Sequence, residues 1–191
     1  MTIRLASLLL LALAPGMLQG CFPVVAAGVG TAGVLVVNDR RTKEAYTDDQ
    51  MIEFTASDRI YKQNKSVMHV NVTSFNHDVL VSGEVPDEAT KTEIGNIVAG
   101  IAKVRNVNNE LAVSPNSSLV SRSNDSLVTS SVKMRFMNDM YFKSDHIKVV
   151  TENGTVFLMG LVNHAEAEAA AEVASTTKGV QSVVKLFEYL D

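Results

Sequence analysis

Two stretches of the chain carry the same hydrophobic pattern. In "HVNVTSFNHDVLVSGEV", His69 to Val85, apolar residues fall on one parity of each half: Val70 and Val72, then Val79, Val81 and Val85. In "HIKVVTENGTVFLMGLV", 77 positions further on, Ile147, Val149, Val156, Leu158 and Val162 repeat it. A period of two marks strands with one face in a core. Six of the 17 aligned pairs are identical, among them His69/His146, Asn76/Asn153 and Gly83/Gly160, where chance would give about one. The stretch is therefore a duplicated unit. Asn153-Gly154 predicts a tight hairpin turn, with Asn76-His77 in its place in the first copy. Gly83 and Gly160 lie on the inward parity, which predicts close approach of a helix, or a bulge.

A helical period surrounds each hairpin. Asp49 to Gln63 buries Ile52, Ala56 and Ile60, and Asp125 to Asp139 buries Val128, Val132 and Phe136. Behind the hairpins, Asp87 to Ala99 and the alanine-rich segment after Asn163 predict second helices. A last strand contains Val104 and Val107, or Val180 and Val183. The order is α-β-β-α-β twice. The fold class is thus α+β, with two tandem domains, each a three-stranded mixed sheet packed on two helices. Boundaries fall at residues 47–113 and 124–191, with "SPNSSLVSRS", residues 114–123, as linker. On the non-core parity the second copy has Phe157, Met159 and Leu161 where the first has Leu80, Ser82 and Glu84. The second row is expected to be covered by the other domain or by a partner.

The first 46 residues follow neither pattern. Arg4 and the apolar run Leu5 to Ala14 form a signal peptide, residues 1–20, too short to span a membrane. Leu18-Gln19-Gly20-Cys21 resembles the bacterial lipobox, which implies cleavage before Cys21 and acylation of this single cysteine, leaving residues 21–46 as a lipidated tether. A soluble secreted protein with an incidental thiol is the alternative, though a free cysteine is a liability in an oxidising compartment. Gly28, Gly30 and Gly33 match the G-x-G-x-x-G spacing of dinucleotide sites. They follow a proline-bearing segment beside the cleavage site and precede a β-branched stretch, so the strand-turn-helix context is missing. The whole chain carries a formal charge of −4, and −5 once Arg4 leaves with the signal. That excludes a nucleic-acid partner as the expectation.

The pattern V-x-V, Asn-Gly turn, V-x-L-x-G-x-V, helix and G-V-x-x-V resembles the BON domain of bacterial envelope proteins. Val149, Asn153, Gly154, Val156, Leu158, Gly160, Val162, Gly179, Val180 and Val183 carry it in the second copy; the first is looser, with Ala102-Lys103-Val104. A lipobox followed by two such units resembles the dual BON-domain outer-membrane lipoproteins. The resemblance implies an outer-membrane lipid anchor facing the periplasm of a Gram-negative envelope, anionic phospholipid as ligand of the second domain, and support of envelope integrity at division sites. Phe22 after the cysteine, in place of the aspartate of inner-membrane retention, fits that location.

No catalytic motif is present: there is no G-x-S-x-G, Walker loop or H-E-x-x-H. Neither an enzyme nor a cofactor or metal is expected. His69 and His146 read as solvated strand-edge residues, His77 as a turn residue, His164 as a helix start, and Glu166, Glu168 and Glu172 as the wet face of a helix. The informative segment is Asn124 to Lys143. Beyond its core positions, Leu127, Met134, Met137 and Tyr141 remain apolar, with Lys133, Arg135 and Lys143 beside them. Apolar residues rimmed by cations suit an interfacial helix on anionic phospholipid; a stripe docked on the first domain is the alternative. The resemblance favours lipid, with Leu127, Lys133, Met134, Arg135, Met137 and Tyr141 as the binding set. A periplasmic adaptor or chaperone-like factor serving the outer-membrane assembly machinery is the competing function.

Overall fold

The structure, a computed structural model, describes residues 39–63 and 69–191. The signal peptide, Cys21 and most of the tether lie outside the described residues. Helix α1 (Lys43–Gln63) precedes β1 (His69–Phe75), β2 (Asp78–Val85), α2 (Glu88–Ala99), β3 (Asn106–Asn109) and β4 (Ala112–Val113). The second domain repeats this as α3 (Leu119–Met137), a 3-10 turn (Ser144–His146), β5 (Ile147–Glu152), β6 (Thr155–Val162), α4 (His164–Ser175) and β7 (Ser182–Tyr189). In each domain an antiparallel hairpin, β1/β2 or β5/β6, is extended by a parallel pairing, β2 with β3 and β4, or β6 with β7. No helix among the described residues is long and apolar enough to cross a membrane.

The expected residues form both cores. Ile52, Ala56 and Ile60 meet Val79, Val81 and Val85 in the first domain; Val128, Val132 and Phe136 meet Val149, Val156, Leu158 and Val162 in the second. The second helices start where their caps dictate. Asp87 accepts the Thr90 amide, and Asn163 forms a reciprocal capping box with Glu166.

The first helices begin about six residues earlier than their apolar period suggests, so α3 takes up part of the segment read as linker. Hydroxyls set these starts: Ser118 Oγ accepts the Ser121 amide and Thr42 Oγ1 that of Ala45. Val104 and Val180 lie in the turns before the last strands.

The repeated glycines have a different cause from the one expected. A Cβ on Gly83 would stand 2.2 Å from the His69 carbonyl oxygen, and one on Gly160 2.6 Å from that of His146. What approaches is the backbone at the start of the paired strand, His69 in β1 and His146 just ahead of β5, not a helix. Gly83 also has φ +117°, a conformation that side chains resist.

Both central strands are buried on both faces. The second faces meet in an apolar seam, where Phe75 and Leu80 of the first domain pack with Phe157, Met159 and Leu161 of the second. Burying a large apolar side chain contributes about 1.5–3 kcal/mol, so the seam answers the problem of two small domains that are marginal alone. The surplus row Phe157, Met159 and Leu161 is thus covered by the other domain.

Polar contacts rim the seam. Lys148 Nζ lies 2.7 Å from Glu53, Asn153 Nδ2 donates to Glu84 at 2.7 Å and Asn71 Nδ2 to Glu152 at 3.1 Å. Glu188 accepts from Asn76 and pairs with Arg105. Arg40, ahead of α1, reaches across to the Leu161 carbonyl at 2.8 Å and grips both Glu166 oxygens, at 2.6 and 2.8 Å.

Candidate membrane-facing site

A buried aspartate fixes each first helix to the hairpin it covers. Asp49 accepts from the amides of Asn76 at 2.7 Å and His77 at 2.8 Å, and Asp125 from those of Asn153 at 3.0 Å and Gly154 at 2.9 Å. Asp49 also takes Ser74 Oγ at 2.6 Å and pairs with Arg41 at 2.8 Å. With the turn amides thus satisfied, α3 is held with Val128, Val132 and Phe136 inward. The face opposite them is exposed.

On that face Leu127 is 67% exposed, Met134 59% and Met137 73%. Past the helix end, Phe142 is buried edge-on against Phe136, with ring centres 4.8 Å apart, while Met140 and Tyr141 stay outside at 93% and 79%. The apolar set is therefore not docked on the first domain. Val120 near the start of α3 and Met140 past its end are exposed as well, and the sequence reading does not include them. Val120, Leu127 and Met134 recur every seventh residue, nearly two turns, a signal hidden by reading Val120 as linker.

Serines between these residues are already satisfied. Ser123, Ser130 and Ser131 donate to the carbonyls of Leu119, Ser126 and Leu127 at 2.8–2.9 Å. A hydroxyl that bonds its own helix costs less to remove from water.

The two predicted cations part company. Lys133 is exposed and makes no ion pair among the described residues. It borders a 490 Å³ cleft with Met137, Tyr46 and Phe75, in which Arg41 and Lys148 are already paired with Asp49 and Glu53. Arg135 points elsewhere: its guanidinium donates to the Val173 carbonyl at 2.7 Å and to Thr177 Oγ1 at 2.8 Å. It caps the end of α4, where a cation also complements the helix dipole. A second exposed row, Met51, Phe54 and Tyr61, lies on α1.

Three readings of polar residues are corrected by the seam. His146 is buried, and His69 Nδ1 lies 2.7 Å from Glu84 Oε2, so neither is a solvated edge residue. Glu166 is buried under Arg40 rather than wet. Burial alone would raise Glu84, but hydrogen bonds from His69, Asn153 and Ser117 outweigh it and hold the carboxyl below its ordinary value. Glu152, buried beside it, is pushed up by desolvation. His77 pairs with Asp48 at 3.2 Å, and His164 stacks on Tyr189 and meets Asp191 at 2.8 Å.

The two small mixed sheets, each with a glycine under its neighbour's carbonyl and an aspartate locking helix to hairpin, repeat one unit, and the BON-domain model matches residues 48–115 and 124–191. The chain belongs to that family. It is 40% identical over 176 residues to the outer membrane lipoprotein DolP of Haemophilus influenzae, covering 91% of both chains. It is 32% identical to a 21 kDa hemolysin of Actinobacillus pleuropneumoniae, over 80% of this chain and 79% of the relative. The osmotically-inducible protein Y of Escherichia coli is 30% identical over 60% of this chain and 58% of its own. The protein is accordingly an outer-membrane lipoprotein with two BON domains.

Proposed function

We propose that this lipoprotein is held in the outer membrane by acyl chains on Cys21 and lays the exposed face of α3 on anionic phospholipid, as a binding rather than a catalytic protein. The observation that supports this is the exposure of Leu127, Met134 and Met137 along α3, of Tyr141 past its end, and of the uncommitted Lys133. Such a face is what an interfacial helix presents: apolar area for the acyl boundary and a cation for the headgroups. Because the anchor already confines the chain to the surface, a weak contact is enough to be populated. A part in envelope integrity and at division sites follows from the resemblance to dual BON-domain lipoproteins alone.

Flotation with vesicles separates helix from anchor. The Cys21→Ser chain, without its signal, is expected to float with phosphatidylglycerol vesicles and not with phosphatidylcholine ones. Leu127→Glu in the same chain is expected to stay behind while keeping its circular dichroism. Equal flotation of both chains would remove α3 from the function and favour the adaptor reading.

A further inference from the structure

The polar edge of the seam gathers a histidine and two carboxylates from both domains. His69 on β1, Glu84 on β2 and Glu152 on β5 each offer a ligand atom, all within 4.8 Å of one another. Glu84 is 1% exposed, and the other two side chains are nearly buried. His69 Nδ1 stands 2.7 Å from Glu84 Oε2 and 3.7 Å from Glu152 Oε1. A tetrahedral Zn²⁺ at its usual bond lengths requires ligand atoms about 3.3–3.5 Å apart. The two observed distances bracket that value, and the cluster as a whole, within 4.8 Å, needs to contract by up to about 1.5 Å to close round an ion.

Each carboxylate has its other oxygen held by an amide. Asn153 Nδ2 donates to Glu84 Oε1 at 2.7 Å and Asn71 Nδ2 to Glu152 Oε2 at 3.1 Å, which turns the second oxygen of each towards the imidazole; on Glu84 that oxygen also accepts from Ser117 N and Oγ at 3.3 and 3.1 Å, contacts that an ion would displace. Such outer partners orient the ligands of built metal sites. Asn71 Nδ2 also meets His69 Nε2 at 3.2 Å, so one amide faces both the carboxylate and the imidazole. Nearby Arg122 makes no ion pair with either carboxylate; its guanidinium donates to Ser117 Oγ and carbonyl, both at 3.1 Å. A 290 Å³ cavity lined by His69, Asn71, Arg122, Asp125 and Glu152 reaches two of the three ligands and has room for water as a fourth.

We propose that His69, Glu84 and Glu152 bind one divalent transition-metal ion, Zn²⁺ in preference to Ca²⁺ or Mg²⁺, and that this ion ties the two domains together. An imidazole among few ligands suits zinc, whereas calcium takes six to eight oxygens and magnesium a near-ideal octahedron. Binding to the docked form alone stabilises it by mass action.

The mature lipoprotein, purified in detergent and stripped with a chelator, is titrated with Zn²⁺ by calorimetry and thermal unfolding. One Zn²⁺ per chain and a raised Tm are expected, with little response to Ca²⁺ or Mg²⁺. Glu152→Gln, which is isosteric, and His69→Gln are expected to weaken binding by about tenfold or more. His164→Ala, which removes the exposed His164 and Asp191 pair, is expected to leave it intact. Independently of any variant, Co²⁺ in the same site should give the visible absorption of a low-coordinate nitrogen and oxygen set. Absence of stoichiometric Zn²⁺ binding, its survival in Glu152→Gln, its loss in His164→Ala, or an octahedral Co²⁺ spectrum would each overturn the proposal.

Discussion

Deleting the carboxylate of Asp49 would strand three donors at once, Ser74 Oγ and the amides of Asn76 and His77, while Arg41 keeps its ion pair with Asp39. Leaving a buried donor unpaired costs about 1–3 kcal/mol, so Asp49→Ala, with three of them, should lower stability by about 3 kcal/mol or more in urea unfolding. Asp125 serves the two amides of its own turn, and Asp125→Ala should cost about 1–3 kcal/mol. The order of the two is the test; a larger loss at Asp125 would contradict it. Ser82 supplies the opposite sign. Its hydroxyl is buried without a partner, so Ser82→Ala should stabilise the protein by about 1 kcal/mol in the same assay.

At the scale of elements, α3 divides its duties by face, and substitutions should divide accordingly. Lys133→Ala is expected to weaken vesicle binding most at low salt, because a screened surface charge is what it removes, with unfolding unchanged. Arg135→Ala is expected to lower the Tm instead, since Arg135 holds the Val173 carbonyl and Thr177 at the end of α4. A binding defect in Arg135→Ala equal to that of Lys133→Ala would contradict this division. Sequence spacing groups the two lysine and arginine side chains together; only the position of α4 separates them. The strands and helices were legible because Val79, Val81 and Val85, like Ile52, Ala56 and Ile60, keep strict periods. The starts of α1 and α3 were not, because their first turns are polar and are set by the Thr42 and Ser118 hydroxyls rather than by apolar residues.

Across the whole molecule, the polar parity of the first hairpin misleads because its environment is another domain and not water. Nothing local to Ser82, Glu84 or His69 reveals that; the apolar Phe157, Met159 and Leu161 on the matching face of the second hairpin give the only hint. The docking has a pH signature. The Arg40 hydrogen bond holds Glu166 below its ordinary 4.5, and the Arg105 hydrogen bond does the same for Glu188. Carboxyls depressed in the docked state contribute fully above their ordinary value, and that contribution is lost as pH falls through the lower docked values. Scattering should therefore show the radius of gyration growing below about pH 4 while each domain keeps its circular dichroism, and Arg40→Ala should expand at a higher pH. An acid transition in which both domains unfold together before any expansion would contradict a seam held by these pairs. The central claim is tested most directly by backbone NMR of the Cys21→Ser chain titrated with phosphatidylglycerol-containing micelles and, separately, zwitterionic ones. The account predicts shift changes confined to Val120, Leu127, Lys133, Met134, Met137, Met140, Tyr141 and their neighbours, and only with the anionic micelles. Changes centred instead on Met51, Phe54 and Tyr61 of α1, or equal responses to both micelles, would contradict it.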